Sequence, residues 1–259
     1  MPRSGTSWLG QIIDSSPQVR YRLSPLFSYK YKNMVDELSS KSEYEKMFQG
    51  AYEAEDTFMN RSEEREMGYY PKFDQKDSDP VFLAIKMTRF HNLIDRMVKL
   101  FDNIKFVSIV RHPCGAIHSW LTTPSEFPHN ANPMNEWRFG NCRKTGPEEF
   151  WGFEDWKKVT HLHMKLEREI PDRFKILQYE YLVLNPYHQI RNIFDFIGLS
   201  YTAQTQQFIK MSQHRHDENP YSVFKDPSVK DRWVDELDIM IKTTIIQETE
   251  NTDLKRFLV

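Results

Sequence analysis

A chain of 259 residues with 39% hydrophobic and 14% aromatic content is long enough for one sizeable core and too apolar for disorder. Its 35 basic and 37 acidic residues leave a formal net charge of -2. They form no long basic run, which excludes a general nucleic-acid or anionic-membrane binder and makes any anion site local. No apolar run approaches the about 18 residues of a membrane span, and residues 1–20 lack the order of a signal peptide. Cys114 and Cys142 are the only cysteines, so no disulfide framework is implied and a reducing, cytoplasmic compartment is favoured.

The chain opens on "RSGTS", after which Trp8, Leu9, Ile12 and Ile13 fall at helical spacing. "SSPQV" ends that helix before a short extended piece at Val19–Tyr21. Residues 42–68 are charged and amphipathic and predict a surface helix, and "VFLAIKM" predicts a buried strand. The stripe Leu93, Met97, Leu100 predicts a helix, and "KFVSIV" a second strand of the kind that parallel sheets bury on both faces. Residues 123–149 lack periodicity and predict a long substrate-side connection. Trp156, Val159, Leu162, Leu166 and Ile170 mark a helix, "FKILQY" a strand, and Pro186 to Gly198 a helix punctuated at both ends. Residues 202–259 predict two or three helices around the loop "HRHDENPYSVFKDPSVKDRW". Alternating strands and helices place the chain in the α/β class.

A glycine turn at a helix N-terminus gathers unpaired N–H groups and the positive end of the helix dipole, which is an anion site. Ser4, Thr6 and Ser7 add hydroxyls around Gly5, and Arg3 adds a permanent charge. The same cluster also reads as an ordinary N-cap or turn. The Walker pattern with its Lys is absent, which weakens a small-molecule kinase reading. A second anion clamp is legible in "FVSIVRHPCGAIHSWL", where a strand runs into Arg111 and Ser119 follows on the next helix. Alone, Arg111 also reads as a surface cation.

Together these pieces resemble the sulfotransferases that use 3′-phosphoadenosine 5′-phosphosulfate (PAPS). "PRSGTSWL" resembles their 5′-phosphosulfate loop, "VSIVRHPCGAIHS" their 3′-phosphate motif, and "LQYEYLVLNPYHQIRNIFDFIGL" their Tyr-Glu-x-Leu element. All three stand in the family's order, and "KDRWVDEL" resembles the late basic loop. The resemblance implies a P-loop-type three-layer α/β/α sandwich around a parallel sheet, in one domain over residues 1–259. It implies donor binding by Arg3, Ser4, Gly5, Thr6, Ser7, Trp8, Arg111, Ser119 and Tyr179. Lys225, Lys230 and Arg232 match the late loop, with a spacing that departs from the cytosolic members. Arg3 stands where many cytosolic members carry Lys, and where protein-tyrosine and several carbohydrate sulfotransferases carry Arg. Tyr179 also reads as core packing at a strand end.

The acceptor side departs from both groups. "IKMTRFHNL" keeps Lys86 of the cytosolic pattern but puts Thr88 where its His would fall, leaving His91 as the nearest candidate base. His91 reads equally as a surface residue at a helix start. "VRYRLSPLFSYKYK" lacks the Glu of protein-tyrosine members. The expectation is therefore transfer to a hydroxyl of a carbohydrate, glycan or other polar small molecule, without a metal, and with a catalytically inactive nucleotide-binding protein as the alternative. Only Met1 and Pro2 precede Arg3, so the strand that feeds this loop in the resembling family is missing from the sequence as given, which is expected to be an N-terminally truncated or late-started chain.

Overall fold

A computed structural model describes residues 1–259. In chain order the elements are α1 (Thr6–Asp14), β1 (Val19–Leu23), α2 (Lys41–Glu53), α3 (Thr57–Asn60), α4 (Ser62–Glu66), β2 (Phe82–Lys86), α5 (Ile94–Leu100), β3 (Phe106–Val110), α6 (Pro113–Leu121) and α7 (Pro133–Glu136). There follow α8 (Gly152–Glu169), β4 (Phe174–Gln178), α9 (Tyr179–Leu184), α10 (Pro186–Ile197), α11 (Ala203–His214), α12 (Trp233–Glu236) and α13 (Ile239–Glu250). The chain packs as two compact units, one of residues 1–6, 105–189 and 227–259, the other of residues 7–104 and 190–226. Each holds a two-stranded parallel sheet, β3 with β4 in the first and β1 with β2 in the second. Residues 1–5 form turns.

In the second unit β1 buries Val19, Tyr21 and Leu23 on one face, as period-2 spacing dictates. Arg22, on the other face, is buried as well, and its guanidinium donates to the carbonyls of Ala51 (2.7 Å), Tyr52 (3.0 Å) and Ala54 (3.0 Å). A cation thereby satisfies the last carbonyls of α2, which no intrahelical donor reaches. A capping box of Ser40 and Glu43 closes the other end of α2. The single surface helix expected over residues 42–68 is three helices. Asp56 caps α3 through the Met59 N–H (2.8 Å), and Arg61, at φ 56°, breaks the chain between α3 and α4. Tyr44, Met47, Ala51 and Met59 are buried, so this stretch is core-forming on one face. Conversely β2, expected to be buried, is half-exposed because it pairs on one side with β1 while α2 and α3 pack on β1.

In the first unit Phe106 stacks on Phe174 across the β3–β4 pair, with centroids 5.8 Å apart. Helix α8 follows the expected stripe, burying Trp156, Val159 and Leu166. Residues 123–149 are tied down at their far end. Phe153 N donates to Trp137 O (3.0 Å) and Glu154 N to Arg138 O (2.9 Å), while Arg138 forks between Glu154 (2.6 Å) and Glu248 of α13. Lys157 also reaches Glu248 (2.9 Å), so one carboxylate holds two cations and fastens α7 and α8 to α13.

The Arg138 hydrogen bonds, with Lys157 behind them, pull the Glu248 carboxyl down to about 2. Because the folded value lies below the ordinary 4.5, the stabilisation is present above about pH 4.5 and fades as pH falls toward 2. Glu248→Gln should therefore lower the melting temperature at pH 7, by the few degrees that a partly exposed network of roughly 1 kcal/mol implies. Thermal melts at stepped pH check it: the gap between wild type and variant should narrow below pH 4.5.

Candidate functional site

The opening loop makes two left-handed turns, at Arg3 (φ 59°) and Gly5 (φ 81°), and leads directly into α1 at Thr6. Gly5 is required twice over: its φ lies where a side chain is strained, and a Cβ there would sit 2.5 Å from Cδ2 of Tyr179. The Tyr179 ring therefore presses on the loop backbone and fixes its course. Ser4 is fully buried and its hydroxyl donates to the Pro2 carbonyl (3.4 Å), which holds the turn from inside. Arg3 Nε donates to Ser119 Oγ on α6 (3.2 Å), so the opening loop and the helix after β3 are joined through the two side chains the sequence singled out.

Arg111 follows the end of β3 and is 6% exposed. Its terminal nitrogens donate to the carbonyls of Arg3 (3.3 Å) and Lys230 (3.2 Å), its Cζ lies 4.8 Å from the centroid of the Tyr179 ring, and its Nε has no partner. Carbonyl dipoles and one ring face thus surround a buried guanidinium that makes no ion pair, with the buried Glu180 carboxyl close enough to feel its charge. Gly115, one turn into α6, keeps this space open: a Cβ there would lie 2.8 Å from Arg111 Nε.

Three neighbours that the sequence did not mark as functional position this group. His112 caps α6 by accepting the Cys114 N–H on Nδ1 (3.2 Å) and stacks on Trp233, centroids 4.2 Å apart. Burial, with Arg111 beside it, pushes its pKa down to about 4, so it is a neutral cap at pH 7. Glu180 is buried and accepts the His112 N–H on Oε1 (3.0 Å), and burial raises its carboxyl. Trp156 Nε1 donates to the Arg111 carbonyl (3.1 Å). The only signal for Glu180 was its place beside Tyr179 in "QYEY"; nothing local marked His112 or Trp233.

Tyr179 opens α9 at the end of β4, buried, with its pKa raised by that burial. It is thus both a packing residue and part of the Arg111 surroundings. Lys230 contributes its carbonyl to Arg111 while its ammonium pairs with Asp231, and Arg232 is exposed at the start of α12. Lys225 instead locks its own loop through the carbonyls of Asp217 and Asn219 (2.8 Å to the latter).

In the second unit Lys86, the last residue of β2, reaches Ser7 Oγ at 3.4 Å, and Trp8 Nε1 donates to Ser212 Oγ (2.8 Å). Trp8 is thereby a bracket between α1 and α11. His91 begins a short 3-10 turn and is 6% exposed, not the surface residue that a helix start suggested. No group of three His, Cys, Asp or Glu side chains is placed to hold a metal ion, and no helix is long and apolar enough to cross a membrane.

A loop with two left-handed turns, an Arg at the end of a parallel strand and a hydroxyl on the following helix stand together in an α/β protein. A sequence model of the sulfotransferase family matches residues 1–203, and the chain belongs to that family. The fold is shared with the sulfotransferase domain of the Synechococcus PCC 7002 olefin synthase, at 16% identity and TM-score 0.52 over 95% of this chain and 90% of that one. It is shared too with the sulfotransferase domain of the curacin biosynthetic pathway, at 16% identity and TM-score 0.53 over 95% and 94%. A third likeness is to mouse sulfotransferase SULT7A1 complexed with PAP, at 15% identity and TM-score 0.56 over 99% and 84%. None of the curated proteins compared matches the chain significantly.

Contact with Gly5 and Arg111 runs through the ring of Tyr179, not its hydroxyl. Tyr179→Phe should therefore leave the melting temperature within about a degree, whereas Tyr179→Leu, which loses a cation–π contact of roughly 1–2 kcal/mol, should lower it by several degrees. Thermal melts of the two variants separate ring from hydroxyl.

Proposed function

We propose that this sulfotransferase transfers a sulfuryl group from PAPS to a hydroxyl of a carbohydrate or other polar acceptor, without a metal. The observation that carries the donor assignment is Arg111: a guanidinium 6% exposed, its Nε without a partner, held by carbonyls and an aromatic face. A buried cation of this kind is stabilised by an anion of fixed position, which the 3′-phosphate of such a donor supplies. Adenosine alone with a 5′-phosphate would occupy the opening loop and leave Arg111 uncompensated.

In the reaction the acceptor oxygen bonds to sulfur as the bond between sulfur and the 5′-phosphate oxygen breaks, and the acceptor proton passes to a base. Charge grows on the leaving phosphate oxygen, and Arg3 with the N–H groups at the start of α1 stabilises it. Arg3 acts electrostatically, because a guanidinium does not give up a proton in water. Its bond to Ser119 fixes the direction of the fork, and Ser4 and Gly5 fix the backbone beneath it. Thr6, Ser7 and Trp8 complete the loop, with Lys86 bearing on Ser7, and Lys230 and Arg232 stand on the late segment whose backbone already touches Arg111. His91, buried at the start of its 3-10 turn, is the candidate base.

Adenosine 3′,5′-bisphosphate should bind without magnesium and at least tenfold more tightly than AMP; calorimetry giving equal affinities would sink the assignment, and magnesium-dependent ATP binding would favour a kinase. Arg111→Ala should remove a charge-assisted contact of about 1.5–3 kcal/mol, weakening the bisphosphate at least tenfold with the fold intact.

Arg3→Ala should lower kcat by about 100-fold while moving donor affinity far less, since the charge it meets develops only in the transition state. If single-turnover rates are unchanged and only KM rises, Arg3 is a binding residue.

A further inference from the structure

Val110 and Gln178 stand opposite each other in the parallel register, so Arg111 and the pair Tyr179–Glu180 leave the β3–β4 sheet from the same edge. Both charged residues there are buried, Arg111 at 6% exposure and Glu180 at 7%. Glu180 Oε1 accepts the N–H of His112 (3.0 Å), which fixes the carboxyl against the turn that carries the guanidinium. The guanidinium donates elsewhere, to the carbonyls of Arg3 (3.3 Å) and Lys230 (3.2 Å), and its Nε has no partner. Opposite charges are thus held side by side without forming an ion pair. Burial raises the Glu180 carboxyl above its ordinary 4.5, against the pull of the His112 N–H, its own N–H, Arg111 and Lys230.

The other titratable and charged groups facing this pair have settled states. Lys230, on the 227–230 turn, has its ammonium on Asp231. Arg3, on the opening loop, donates to Ser119 Oγ. His112 is pushed down to about 4 and Tyr179 is pushed up by burial, so both are neutral at pH 7. His118, one and a half turns along α6, faces Glu236 of α12 (3.1 Å), and burial, with Arg111 and Arg232 nearby, holds its pKa down. An anion set against Arg111 cancels the pull of that guanidinium on Glu180 and repels the carboxylate directly. Both effects favour the protonated carboxyl.

We infer that Glu180 is the internal counter-charge of Arg111 and gives up that role, by taking a proton from solvent, when an anion settles on the guanidinium; the inference rests on the donor reading above for the identity of that anion. The proton adds to Oε2, and Oε1 goes on accepting the His112 N–H, so the turn keeps its geometry through the exchange. Glu180 is then a positioning residue, acting on the ligand through Arg111 and His112. By linkage, an anion whose binding adds a proton to the protein binds more weakly as pH rises, relative to a protein in which residue 180 has no charge to neutralise.

The test compares wild type with Glu180→Gln, whose amide oxygen still accepts the His112 N–H. Two probes are used: adenosine 3′,5′-bisphosphate, by calorimetry, and inorganic sulfate, whose charge is constant between pH 5 and pH 8, read as the rise in melting temperature. Glu180→Gln should bind the bisphosphate several-fold more tightly than wild type at pH 8, and the gap should close toward pH 5, where the wild-type carboxyl is protonated beforehand. The sulfate response should follow the same course, and the gap should vanish in an Arg111→Met background. Should Glu180→Gln fail to fold, wild type alone decides: sulfate titrated in two buffers of unlike ionisation heat should bind with proton uptake, since sulfate itself takes none. A ratio constant with pH, a variant that binds more weakly than wild type, a gap that survives Arg111→Met, or sulfate binding without proton uptake would each overturn the inference. A pH-dependent sulfate response in a protein that ignores the bisphosphate would uphold the exchange and overturn the donor assignment, and a protein that responds to neither anion would overturn both.

Discussion

A positive charge taken out of water without an ion-pair partner is the constraint around which the first unit is arranged. Moving a guanidinium into the interior costs several kcal/mol even after relaxation, and carbonyl dipoles with one aromatic face offset only part of that. Around Arg111 each neighbour has a task that follows from this. The Tyr179 ring lies against the guanidinium and at the same time against Gly5; the Lys230 and Arg3 carbonyls come from two segments far apart in sequence; Trp156 holds the backbone of Arg111 itself. The charge thereby ties the opening loop, the end of β3 and the late segment to one point, so an anion bound there, as proposed above, would stabilise all three together.

The positions of strain fit the same picture. Arg3, Ser24, Asn33, Arg61 and Phe90 hold left-handed backbone without being glycine, each at a cost of order 1–3 kcal/mol; Ser24 follows β1 directly and Arg3 stands just before α1. Ser24 and Arg3 are over-determined by hydrogen bonds, to Lys86 in one case and Ser119 in the other. Such strain persists only where the surroundings fix it.

Much of this was legible in the sequence because the signals were local. The apolar runs at β2, β3 and β4 named strands, and "PRSGTSWL" and "VSIVRHPCGAIHS" singled out Arg3, Arg111 and Ser119, which the structure links by hydrogen bonds from Arg3 to Ser119 and from Arg111 to the Arg3 carbonyl. The failures have physical causes. Amphipathic composition over residues 42–68 did not register the left-handed residue at Arg61 that divides the helix, and an apolar run at β2 said nothing of how many partners the strand would have. His112, Glu180 and Trp233 were invisible because their roles arise from tertiary stacking and burial, and neither leaves a periodic trace. Lys225 misled because a basic residue in a loop looks alike whether it faces an anion or its own backbone carbonyls.

For the sulfuryl transfer proposed above, the choice of Arg at position 3 gains a reason from the geometry. Arg3 engages Ser119 through Nε, at the root of the fork, and a planar guanidinium has its terminal N–H groups beyond that anchor and oriented by it. A lysine ammonium at the same place is a single point of charge on a flexible stem: bonding Ser119 would draw it away from a leaving oxygen, and facing the oxygen would release Ser119. With φ at 59° the backbone already constrains the first rotor of this side chain, and Ser119 constrains the last. The rotamer entropy of the long side chain is therefore lost on folding and not at the transition state, which is the condition under which a charge stabilises a developing anion most effectively.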